Sequence, residues 1–135
     1  MAEVTLSSPP ALGRPLGQYS QIARVRAAEL LLIAGQVATD TAGNLVGADD
    51  FDCQCGQVFA NIEAALGSAG AGWANVAQFT TYLVHSQDIA KFMAYRTRAF
   101  PGMFAGGAYP PNTLLIVDRL VAEGFLIEVQ TVAAL

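Results

Sequence analysis

The chain has little of what most catalytic machinery requires. One histidine, His85, stands beside Ser86 in 135 residues. A zinc site takes three or four ligands of the right type, and one histidine with two near-adjacent cysteines does not supply them. A Ser-His-Asp triad would have to use His85, and no nucleophile-elbow motif accompanies it. His85 therefore reads as a structural or surface residue. No phosphate-cradling glycine pattern is present; Gly102, Gly106 and Gly107 fit a flexible loop instead. The two cysteines, Cys53 and Cys55, are too close in sequence to bridge readily and read as free thiols. No metal or cofactor is expected. No apolar run approaches ~18 residues, so no membrane partner is expected. The opening MAEVTLSSPP lacks a basic segment followed by an apolar one, which predicts a cytoplasmic protein.

Charge is also scarce. Only 13% of residues are charged, against about 25% in an average domain. The seven basic residues are scattered and the net charge is −4. A grip on nucleic acid needs several Lys or Arg on one face, so no nucleic-acid partner is expected. With 53% hydrophobic residues, the chain has too few charges to cover a monomer. That balance predicts an oligomer that hides apolar surface.

What is present reads as one domain over residues 1–135. Residues 1–18, with Pro9, Pro10, Gly13, Pro15 and Gly17, read as a lead-in loop. Strands are expected over 19–26 and 29–38, with a turn at 41–44 that makes 29–49 a candidate hairpin. A helix over 50–68, capped by Asp49 or Asp50, carries the stripe Cys55, Val58, Phe59, Ile62, Ala65 and Leu66. Residues 76–84 read as a strand. A second helix over 87–100 carries Ile89, Phe92, Met93, Arg96 and Phe100, and Pro101 is expected to stop it. After a loop over 101–112, two buried strands flank a turn at Ala122-Glu123-Gly124. The fold class is α/β (α+β): one mixed sheet with both helices packed on one face.

The last strand holds one carboxylate, Glu128, between Ile127 and Val129. A lone acid in an apolar strand is costly unless it is paired or wet, which makes Glu128 the first functional candidate. The alternative is a glutamate paired with Arg119 or with a base at a subunit contact.

The run P-x-T-x-x-x-V-x-x-L over 111–120, then φ-φ-E-φ-x-x-x-A over 126–133, resembles the end of the YjgF/RidA (reactive intermediate deaminase) family, also known as L-PSP endoribonuclease-like. The resemblance extends through Gly17-Gln18-Tyr19-Ser20-Gln21, Leu32-Ile33-Ala34-Gly35-Gln36, and Gln54, Gln57 and Asn61. It implies a chorismate-mutase-like fold and a homotrimer whose sheets face inward, with clefts between subunits for a small-molecule substrate. It implies that Glu128 positions or activates a water and that Tyr19 closes over the substrate. The alternative for Tyr19 is a packed aromatic with a satisfied hydroxyl. Gly35 matches a position where backbone nears the ligand, and Ala34 replaces a frequent serine. Leu114 stands where a cysteine is usual, and Met93 where a small polar residue often faces the cleft. Asn112 replaces an arginine that would grip a substrate carboxylate; otherwise it caps the turn after Pro110-Pro111.

An amide does not neutralise a carboxylate. The resemblance, so modified, implies a trimeric hydrolase or deaminase-like enzyme acting on the C–N bond of a small imine, enamine or other hydrolysable metabolite, not on the usual 2-imino acids. Two alternatives stay open. One is a non-catalytic small-molecule-binding or regulatory trimer. The other is a 2-iminobutanoate/2-iminopropanoate deaminase in which Arg14, Arg96, Arg98 or Arg119 supplies the missing charge.

Overall fold

A computed structural model describes residues 2–135. Its elements are β1 (Glu3–Ser7), β2 (Ile22–Arg26), β3 (Leu30–Gln36), α1 (Phe51–Ser68), β4 (Val76–Leu83), α2 (Asp88–Met103), β5 (Asn112–Ile116) and β6 (Ile127–Ala134), in chain order. β3, β6, β4 and β5 form a four-stranded sheet in that spatial order, while β1 and β2 pair separately. β6 runs antiparallel to both neighbours, and β4 and β5 are parallel. A parallel pair needs a crossover, and α2 provides it.

The expected mixed sheet under two helices is found. Alternate residues of β4 and β6 (Phe79, Thr81 and Leu83; Ile127, Val129, Thr131 and Ala133) are buried. They meet Cys55, Val58, Phe59, Ile62 and Leu66 of α1 and Phe92 and Phe100 of α2 in one core. Asp50 caps α1, its carboxylate accepting from the Cys53 N–H at 3.0 Å.

Several expectations need correction. Residues 3–7 are strand β1, not loop: Val4 and Leu6 turn inward while Glu3, Thr5 and Ser7 stay exposed, a period of two masked by the proline-rich stretch behind it. The second strand begins at Ile22 rather than 19, because 17–20 bend onto α2. The 29–49 hairpin does not form. The tight turn is real, with the Asp40 carboxylate accepting from the Ala42 and Asn44 N–H groups at 2.9 Å. Beyond it only an isolated bridge joins Thr39 to Leu45, and β3 pairs instead with β6.

Pro101 does not stop α2 but lies inside its last turn. It gives up only the bond its own N–H would have made, and the Phe104 N–H still reaches Phe100 O at 2.9 Å. The loop after it is anchored, since the Phe104 and Tyr109 rings pack edge to face 6.0 Å apart. The last two strands are not neighbours either. β4 lies between them, which leaves β5 at the sheet's edge with Leu115 and Ile116 exposed.

Gln54, Gln57 and Asn61 are structural. The fully buried Gln54 amide donates to Gly47 O (3.1 Å) and Gly124 O (2.8 Å) and accepts from the Leu126 N–H (2.9 Å). Asn61 donates to Val37 O and Thr39 O and accepts from Gln57. These amides tie the chain after β3 and the lead-in to β6 onto α1. Gln54→Leu strands three backbone groups at once, and an unsatisfied buried group costs about 1–3 kcal/mol. The variant is expected to unfold at a lower urea midpoint with an unchanged slope, as equilibrium denaturation will show.

Candidate functional site

Glu128 sits opposite Tyr82 of β4, and Tyr82 sits beside Leu115 of β5. All three point to the sheet face that the helices do not cover. On the other side of β6 the pairing with β3 slips between Ile33 and Gln36. Bulges of this kind re-aim backbone beside functional groups. Here the slip brings Gly35 against the glutamate: a methyl group on Gly35 would overlap the Glu128 carboxylate. Ala34 lies in the same bulge, and its carbonyl accepts from the Gln36 amide at 3.1 Å.

An open cavity of about 460 Å³ is lined by Gly35, Tyr82, Val117, Arg119, Glu128 and Gln130, among others. Among the described residues no protein group pairs with the Glu128 carboxylate. Arg119 lines the same cavity, yet its Nη1 meets Glu123 at 3.4 Å and its Nε donates to Leu120 O at 3.1 Å. The expected alternative, a Glu128–Arg119 pair, is therefore not formed. Tyr82 and Gln130 were not singled out from the sequence. Gln130 was readable, since it lies two residues from Glu128 on the same strand face; Tyr82 was not, because its place opposite Glu128 depends on the pairing of β4 with β6.

Tyr19 and Met93 lie elsewhere, in a second cluster. Gly17 packs so closely on α2 that a methyl group there would come 2.6 Å from Met93 Cε and 3.2 Å from Arg96 Nη2. The Tyr19 hydroxyl accepts from the Leu16 N–H at 3.0 Å. The Arg96 guanidinium sits 4.6 Å from the Phe92 ring centroid and 6.0 Å from that of Tyr19. Arg96 is 2% exposed, and burial holds its guanidinium below the ordinary arginine range. The sequence offers Arg96 both as part of the helical stripe and as one of four arginines that could supply a cleft charge; its burial sets it apart from exposed Arg14, Arg98 and Arg119.

Asn112 and Leu114 are not brought to Glu128 within one chain. Leu114 sits beside Thr81, on the helix-covered face, and packs against the core. Asn112 faces the same way, its Oδ1 accepting from the buried Thr81 hydroxyl at 2.7 Å. The candidate residues thus fall into two separate clusters on one chain: Gly35 with Glu128 on the open face, and Tyr19 with Met93 and Arg96 along α2.

A model of the family described as endoribonuclease L-PSP matches residues 10–135. The chain belongs to this family. Within it, the chain is 32% identical over 120 residues to the RutC family protein PH0854 of Pyrococcus horikoshii, covering 89% of each. It is 33% identical over 122 residues to the RutC family protein slr0709 of Synechocystis, covering 90% of this chain and 88% of that one. In structure it is similar to the Rid-family protein YyfB of Yersinia pestis, with a TM-score of 0.87 at 29% identity over 98% of both chains. The YjgF/RidA resemblance read from 111–120 and 126–133 is thereby confirmed as family membership. No helix among the described residues is long and apolar enough to cross a membrane.

The close packing at Gly35 generates a prediction. Gly35→Ala forces the Glu128 carboxylate aside while the strand pairing survives. Overpacking of this kind costs about 1–3 kcal/mol. The variant is expected to unfold at a lower urea midpoint with the far-ultraviolet circular dichroism of the folded state unchanged, as equilibrium denaturation and spectroscopy will show.

Proposed function

We propose that this protein hydrolyses the C–N bond of a small imine or enamine, with Glu128 holding and activating the attacking water. The observation that carries this reading is the Glu128 carboxylate, unpaired on an apolar strand and pressed against the glycine of a bulge, with open space before it. A carboxylate so placed accepts a proton from water as the oxygen adds to the imine carbon. It returns that proton to the nitrogen, the carbinolamine expels ammonia, and a carbonyl compound remains. Family membership fits a protein acting on small molecules.

The site on one chain is incomplete. The sheet face bearing Glu128 also leaves Leu30 60%, Leu32 77% and Leu115 41% exposed. These large apolar side chains flank the polar middle of the face, and their exposure fits a surface that another copy covers. In this reading three copies assemble with these faces inward, and the Gly35–Glu128 half of one copy meets the Tyr19–Met93–Arg96 half of its neighbour. Tyr19 then closes the cleft. The non-catalytic alternative has the same assembly without turnover. RNA is not the proposed substrate, because seven scattered basic residues in a chain of net charge −4 offer no phosphate-binding face.

Two outcomes follow. Leu32→Glu places a charge at the covered face, and light scattering is expected to show a single folded chain of 14.1 kDa where the wild type is larger. Glu128→Gln keeps the shape and removes the base. Ammonia release from small imines generated in the assay is expected to fall by about 10²-fold or more with the assembly intact. Full turnover in Glu128→Gln would overturn the role given to Glu128, and a wild type that releases no ammonia would leave the binding-only reading in its place.

A further inference from the structure

Arg96 is a buried cation without an anion. Among the described residues its guanidinium is within ion-pair distance of no carboxylate. Its Nε has no hydrogen-bond partner. Nη1 reaches Gln18 O only at 3.4 Å, and Nη2 meets the Met93 thioether at 3.0 Å, a weak acceptor. The Phe92 ring face returns part of the desolvation cost, but a ring returns less than burying a charge takes. Buried charges are ordinarily paired, and this one is left with five donors and poor acceptors.

The flexible Met93 side chain and the Gly17–Tyr19 segment lie against its Nη groups. That segment belongs to neither helix nor sheet and is tied by local bonds such as Tyr19 N–H to Gly17 O at 2.9 Å. Gly17 comes this near because it has no side chain: a methyl group there would lie 3.2 Å from Nη2. A small shift of either one uncovers the Nε–Nη2 edge, which suits two parallel hydrogen bonds to a carboxylate. The neighbours Phe92, Met93, Gly17 and Tyr19 supply no second cation, so the site balances one negative charge rather than two.

We infer that Arg96 is the anion-binding residue of this protein, holding the carboxylate of a small ligand beneath the Gly17–Tyr19 segment. The inference deepens the proposed function and rests on it only for the ligand's fate. The substrate would then carry a carboxylate, gripped from the helix rather than from Asn112 on the strand.

The test uses the whole protein, with propionate as probe and propionamide and inorganic phosphate as controls, by titration calorimetry and thermal melting. The wild type is expected to bind propionate and to discriminate against both controls. Arg96→Met keeps the length and apolar contacts of the side chain. It is expected to bind propionate at least about tenfold more weakly and, relieved of an unpaired charge, to melt higher than the wild type without ligand. A guanidinium that served only to brace Phe92 and Tyr19 would give the reverse: a lower melting temperature and unchanged propionate affinity. That result overturns the inference, as does a wild type that binds propionate no better than propionamide. Should the Met variant fail to fold, Arg96→Lys keeps the charge without the planar fork. The same loss of affinity is expected, and unchanged affinity overturns the proposal. Glu128→Gln is expected to keep its propionate affinity. Turnover surviving in that variant removes Glu128 as the base, and absence of turnover in the wild type removes the hydrolytic reading; either leaves the Arg96 site standing.

Discussion

Two helices cover one face of the four-stranded sheet, while the opposite face holds Leu30, Leu32 and Leu115 in water beside Glu128. The rest of the molecule answers to that one-sidedness. A chain with 13% charged residues leaves large apolar side chains at the edges of this face, where an assembly can bury them, and its polar middle, Tyr82, Glu128 and Gln130, lines the cavity. Burial of the covered face holds the fold together; the uncovered face is where function is to be sought.

Among the described residues two charges without an ion-pair partner lie against a close-packed glycine, Glu128 on the open face against Gly35 and Arg96 under the Gly17–Tyr19 segment against Gly17. Arg96, buried, is the costly one. Uncompensated groups of this kind gather at functional sites, where local cost is accepted for binding or chemistry. Their opposite signs suit a polar small molecule that offers a carboxylate to one and an electrophilic carbon to the water on the other. The paired amides of buried Gln54 and half-buried Asn61 are the contrast: bonded to backbone and structural.

Much of this was legible in the sequence. Helical stripes marked α1 and α2, the apolar runs marked β3, β4 and β6, and Glu128 stood out as an acid among Ile127 and Val129. What could not be read was long-range pairing. Nothing local told β3 that its partner was β6 rather than the residues after its own turn, or placed β4 between β5 and β6. Period-two patterning in 3–7 was hidden by the prolines behind it, and Pro101 was overrated because a proline near a helix's end forfeits only one bond. The site was half legible. Gly35 and Glu128 meet as expected, whereas Asn112 and Leu114 turn to the helix side, a consequence of strand register that alternation alone does not reveal. Arg96 was visible as a charge in an apolar stripe, and only its burial without a counter-charge gave it meaning.

The central claim is that a complete site needs two copies of the chain, one giving Glu128 and the other Arg96 with Tyr19. Subunit complementation tests this most directly. Glu128→Gln and Arg96→Met chains are unfolded, mixed and refolded together, and ammonia release is compared with each variant refolded alone. Recovery of turnover in the mixture, absent from either variant by itself, is the predicted result. A mixture as inactive as its components, although mass measurement shows mixed assemblies, would contradict the account.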